Sequence, residues 1–137
     1  MPFTTTIVGA QRYLDAITGR AAAAARTTYL AALTAAPTRT TTLATMAEVA
    51  VAGYARQTYV PTAPTSADPP VTGLSTADTF GPFTGDPPAI THLALVSASS
   101  GTTGDLVGYW AVDTAKDVGI GDSVTVASGQ ATISATS

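Results

Sequence analysis

Cysteine is absent from the 137 residues, which excludes a disulfide, a thiolate nucleophile and a zinc–thiolate site. Asparagine is absent as well, so N-linked glycosylation is excluded and a common turn-former is missing. Charge is scarce. Asp, Glu, Lys and Arg make up 11% of the chain, against about 25% in an average globular domain. The six basic residues (Arg12, Arg20, Arg26, Arg39, Arg56 and Lys116) are scattered, and the net charge is -3. A nucleic-acid backbone needs a clustered positive face, so nucleic acid is excluded as a partner. No apolar run reaches the ~18 residues of a membrane helix, which argues against a membrane partner. The opening MPFTTT lacks the basic start of a secretory signal, and Arg20 and Arg26 closely bracket the alanine run at 21–25. The expectation is a soluble protein made in the cytoplasm.

Threonine and serine stand where charge is missing, while the hydrophobic fraction of 45% is ordinary. A chain of this length suits one domain, residues 1–137, able to bury roughly 70% of its unfolded surface. Low charge suits a domain that is packed against other protein.

Along the chain, Ile7, Val8, Leu14 and Ile17, with Tyr13, recur near helical spacing, and Gly19 is placed as a stop. This predicts a helix over 7–18, capped by Thr5 or Thr6, within an N-terminal helical segment 1–26. The alanine-rich residues 19–26 either continue that helix or connect it to the first core strand. Residues 27–137 read as a β-rich core. Within it, 27–34 (TTYLAALT) is a buried strand closed by Pro37. Residues 40–52 form a second short helix with Leu43, Met46, Ala47 and Ala50 along one side, ended by Gly53. Residues 54–60 (YARQTYV) form a strand.

The proline-rich stretch 61–88 holds seven of the nine prolines. Leu74, Phe80 and Phe83 are large enough to anchor it, so it reads as an ordered excursion with a short strand near 76–83. Residues 90–98 (ITHLALVSA) are apolar on both faces, as a central strand is, and 106–113 (LVGYWAVD) form its antiparallel partner. Residues 123–127 and 131–135 alternate; either a turn at Gly129 and Gln130 pairs them as a hairpin or they form a single long strand with a bulge at Gly129. The expected fold is mainly β: an antiparallel sandwich or barrel-like domain with an N-terminal helix and one further short helix.

The inventory for chemistry is thin. His92 is the sole histidine; strand parity sets it beside Ile90, Ala94 and Val96, and no partner motif marks it as catalytic. Most of the nine carboxylates adjoin glycine or proline, where aspartate closes turns. The 117–122 segment (DVGIGD) lacks the ligand pattern of a calcium loop and reads as a connection. Tyr54, Tyr59, Phe80, Phe83, Tyr109 and Trp110 offer either a sugar platform or core packing, and core packing is the plainer reading. The sequence therefore points to no catalytic residue, no cofactor and no metal.

Three stretches carry a resemblance. They are YLAALTAAP at 29–37 with MAE at 46–48 and GYAR at 53–56; FGPF at 80–83 leading into ITHLAL at 90–95; and GDSV at 121–124 with ASG at 127–129. Together they are similar to a family of small tailed-phage virion proteins, labelled as tail fibre, head decoration or minor structural proteins. The alanine run and the prolines of 61–70 depart from that pattern. The resemblance implies a non-enzymatic virion structural protein, made in the host cytoplasm and carried in the particle. Its first implied role is capsid decoration, stabilising the head by contacts with the major capsid protein or other virion proteins. A minor tail or tail-fibre component, or a carbohydrate-binding module, is the alternative. A homo-oligomer, with a trimer among the candidate states, goes with it. The residues taken to meet a partner are Arg56, Tyr54, Phe80, Phe83 and Trp110. Arg56 has two further readings, a pair with Glu48 and a solvated strand residue.

Overall fold

The computed structural model describes residues 2–21 and 25–135, and strands dominate them. The elements are β1 (Phe3–Thr5), α1 (Ile7–Thr18), β2 (Thr28–Leu33), β3 (Gln57–Tyr59), β4 (Val71–Thr72), β5 (Asp78–Phe80), β6 (Ile90–Val96), β7 (Leu106–Lys116), β8 (Val124–Val126) and β9 (Ile133–Ser134). A five-stranded antiparallel sheet runs in the order β1-β7-β6-β2-β3, and β4-β9 and β5-β8 form two small antiparallel sheets. None of the three closes into a barrel.

The apolar runs of β2 and β6 are explained by cover on both faces of the large sheet. On one face, Leu30, Ala32, Leu93, Leu95 and Trp110 meet Leu74, Phe80, Phe83, Val126 and Ala131 from the small sheets and their loops. On the other, Ala31, Leu33, Ala94 and Val96 pack with Leu43 and Leu106. The proline-rich excursion is ordered by its anchors: Leu74, Phe80 and Phe83 are fully buried, each contributing about 1.5–3 kcal/mol relative to exposure. β5 lies within the span where a short strand was predicted.

Three expectations are corrected. Residues 40–52 form turns, not a helix. Two successive turns are closed by both backbone and side chain: Thr38 N–H donates to Thr41 Oγ1 (2.8 Å) and Thr41 N–H to Thr38 O (3.2 Å), then Thr42 N–H to Thr45 Oγ1 (2.9 Å) and Thr45 N–H to Thr42 O (3.1 Å). The segment then sends Leu43 to one core and Val49 to the other, which a helix of that length could not do with one face. The hairpin across Gly129 is also absent. β8 pairs with β5 (Asp78 opposite Val126), and β9 with β4 (Thr72 opposite Ile133). The loop at Leu74 intervenes: Gly129 N–H donates to Leu74 O (2.7 Å), Leu74 N–H to Gln130 O (3.0 Å) and the Ser128 hydroxyl to Ser75 O (2.9 Å). Finally, a register shift between Ile90 and His92 turns Ile90 into the larger core, away from His92.

The N-terminal segment gains a strand, β1, that the sequence pattern does not predict. Phe3 pairs opposite Trp110 and packs against it with the rings tilted, 4.7 Å between centroids. The helix after it has its predicted bounds. Thr6 is the N-cap, accepting from Gly9 N–H at 3.2 Å, and its hydroxyl reaches Leu106 O. Gly19 closes the helix at φ 71 with its N–H on Ala16 O, a left-handed cap that costs glycine nothing. Of the alanines expected to continue or connect it, 22–24 lie outside the described residues.

Gly9 is the helix's point of closest approach to the sheet, since a Cβ there would sit 2.1 Å from Val107 O. Gly9→Ala should therefore lower the melting temperature. The ~1 kcal/mol gain in helix propensity is outweighed by overpacking against backbone, about 1–3 kcal/mol. Thermal unfolding followed by circular dichroism checks the sign.

Candidate functional site

The densest polar cluster is built around Glu48. A single antiparallel bridge joins Leu33 to Glu48, with Val49 N–H donating to Ala32 O and Thr34 N–H to Ala47 O, both at 2.9 Å. Gly53, at φ 88, lies against the Pro82–Thr84 backbone, and the chain returns so that Tyr54 and Arg56 face the same carboxylate. Arg56 Nε and Nη2 donate to the two Glu48 oxygens at 2.7 Å each, a bidentate fork. Its remaining donors reach Ala98 O (2.8 Å) and Gly101 O (2.9 Å). The Tyr54 hydroxyl donates to Glu48 Oε1 (2.8 Å) and accepts from Ala32 N–H (2.9 Å).

Burial, then the neighbouring Glu48 charge, pushes the Tyr54 hydroxyl well above its ordinary pKa. The Glu48 hydrogen bond holds Arg56 more firmly protonated. Of the readings open for Arg56, the structure shows the pair with Glu48. Its side chain is only 4% exposed, so its donors are used inside the chain.

The other residues taken to meet a partner are also turned inward. Phe80, Phe83 and Trp110 have no exposed surface. Trp110 donates its indole N–H to Thr132 O at 2.8 Å, and Tyr54 stacks on Phe80 at 5.8 Å. A ring without exposed area offers no platform to a sugar, so of the two readings of the aromatics the structure supports core packing for these three. Tyr59 is buried with its hydroxyl on Ala131 O.

His92 lies half-buried on β6, its Nδ1 2.8 Å from Thr91 Oγ1 and its ring edge-on to Tyr109. Burial lowers its pKa, and no carboxylate is bonded to it among the described residues. Asp122 accepts from Gly119 N–H (2.9 Å), closing a turn in 117–122. Asp78 Oδ2 is buried with no hydrogen-bond partner, and that burial raises its pKa. Among the described residues, no group of three His, Asp or Glu side chains comes together as metal ligands.

Two features had little signal in the sequence. Asp105 accepts from Arg12 Nε (2.7 Å) and Arg26 Nη1 (3.0 Å), partners 93 and 79 residues away, too distant for any local motif. Burial would raise the Asp105 pKa, but the two guanidinium bonds hold it below its ordinary value. The second feature is the helix face. Ile7, Tyr13, Leu14 and Ile17 are each 44–61% exposed, although their spacing is that of a core-facing stripe.

These ion pairs give two expected outcomes. Glu48→Gln leaves the Arg56 charge enclosed without its counter-ion and should cost about 3 kcal/mol, read as a lower denaturation midpoint. Asp105 has a folded pKa below 3.8, so its pairs stabilise the fold above that pH and lose this effect as the pH falls through the folded value. Asp105→Asn should be the less stable protein at neutral pH, and the gap between the two melting curves should close on acidification.

A family model described as "Podophage GP4 fiber I protein gp80" matches residues 4–134. Comparison with curated proteins and with solved structures gives no match. The match spans the helix, all three sheets and the Glu48 cluster, as the resemblance to small tailed-phage virion proteins implies. The chain belongs to the podophage GP4 fiber I protein gp80 family and is a phage virion structural protein.

Proposed function

We propose that this chain is a non-enzymatic component of a phage fibre that acts through contacts with other virion proteins, in more than one copy. The family match over residues 4–134 carries the reading, because its description names a fibre. That description supports the tail-fibre alternative over the head-decoration role expected from the sequence, for which nothing in the match speaks. The chemistry of the side chains agrees. The strongest polar groups, Glu48, Tyr54 and Arg56, are spent on one another, and the large aromatics Trp110, Phe80 and Phe83 are spent on the core. What remains outside is a threonine-rich, weakly charged surface with one apolar helix face. Such a surface is suited to being held by protein neighbours.

Immunogold labelling of intact virions with antibody against this chain tests the location. Gold confined to fibres is the expected result. Gold spread evenly over the head, at hundreds of copies per particle, would restore the decoration role and overturn the fibre reading.

A further inference from the structure

The first turn of α1 is fastened to the body of the domain by backbone bonds. Thr6 N–H donates to Val107 O (3.1 Å), the Thr6 hydroxyl reaches Leu106 O, and Ile7 N–H donates to Arg39 O (3.0 Å). Gly9 then lies directly against Val107. Beyond Gly9 the attachment changes in kind. Gly9 is the one buried residue of the helix, and neither apolar core includes a side chain from α1.

Among the described residues, the hydrogen bonds of 10–21 stay within the N-terminal segment, with one exception, and Arg26 supplies a second. Arg12 Nε and Arg26 Nη1 both donate to Asp105 Oδ2, at 2.7 and 3.0 Å. One carboxylate oxygen thus clasps the helix and, through Arg26, the chain that leads from it into β2. Asp105 is itself fixed at the entry to β7, where its N–H donates to Ser97 Oγ at 2.8 Å.

Magnitudes decide what this clasp does. The Arg12 and Arg26 side chains are 59% and 35% exposed, and ion pairs so placed are weak and screened by salt. No buried apolar side chain adds to them. We infer that residues 10–18 are a strap, clasped by Asp105 alone, that opens from the domain as a unit on the pivot of its first turn while the sheets stay folded. Once off the sheet the strap unwinds, because a helix of 12 residues is marginal by itself in water. Ionic strength therefore sets how much of the time α1 is docked, whatever place the chain has in the virion.

Native-state amide hydrogen exchange on the full chain measures this opening. The amides of Leu14 to Thr18 should exchange well ahead of those in β2 and β6, and almost independently of low urea, because a local opening exposes little surface. Raising NaCl from about 0.05 M to about 1 M should speed them by a common factor of roughly three to ten. Asp105→Asn should show the fast rate at both salt concentrations. The double variant Arg12→Gln with Arg26→Gln should match it, and it leaves Asp105 in place as a check should Asp105→Asn fail to fold. Helix amides that exchange only with β6, on the same urea slope, would overturn the strap. Rates that neither salt nor the double variant moves would overturn the clasp. A salt-independent rise graded toward Gly19 would do the same, since that is ordinary fraying of a helix end.

Discussion

β3 covers only part of the outer edge of β2, pairing with Thr28, Tyr29 and Leu30. Beyond it the backbone of Ala32 would be left with an unpaired donor and acceptor inside the protein, each costly to bury alone. The chain completes this edge without a strand. Val49 N–H takes the Ala32 carbonyl, and the Tyr54 hydroxyl takes its N–H. Glu48, between them, fixes the tyrosine and receives the Arg56 fork. Arg56 then reaches Ala98 O and Gly101 O, in the turn that joins β6 to β7. A single carboxylate thereby ties the irregular 34–56 segment, the edge of the sheet and its central turn into one unit. Residues 34–56 contain almost no regular structure, yet their backbone is bonded to the edge of the large sheet at Ala32 and Thr34.

The same economy governs the proline-rich excursion. Proline lacks an N–H and cannot extend a ladder, so the segment borrows partners from the C-terminal strands. β4 takes β9, β5 takes β8, and the loop at Leu74 bonds to both sides of Gly129. This closes one face of the large sheet with two short ribbons instead of one long hairpin. Two-stranded ribbons are marginal alone; here Phe80, Phe83, Leu74 and Val126 bury them against Trp110, Leu30 and Leu95.

The strongest polar cluster and the large aromatics Trp110, Phe80 and Phe83 are used internally, in keeping with a structural role in a virion. The remaining surface feature of note is the helix, whose stripe is turned outward because Gly9, not the stripe, supplies the close approach to β7. An apolar face of this kind is stable in isolation only at a solubility cost.

Sequence alone determined α1 and the three long strands. The α1 bounds came from Thr6, the apolar spacing and Gly19. The strands read at 27–34, 90–98 and 106–113, which the structure bounds at Thr28–Leu33, Ile90–Val96 and Leu106–Lys116, came from their runs of β-branched, aromatic and aliphatic residues. The virion setting was carried by the YLAALTAAP, GYAR and ITHLAL motifs, and the scarcity of catalytic side chains was legible in composition. Tertiary structure decided the partnerships. Nothing local distinguishes β8 pairing with β9 from β8 pairing with β5, because strand pairing is settled by which burial leaves fewest unpaired backbone groups. Nothing local shows that Thr41 and Thr45 bond back to Thr38 and Thr42, rather than capping a helix that the apolar residues at 43–50 would permit. Arg12 and Arg26 meet Asp105 only because folding brings distant residues together. The direction of a helix's apolar face is likewise invisible in its period: spacing fixes that a stripe exists, and only the packing of Gly9 on Val107 turned it away from the core.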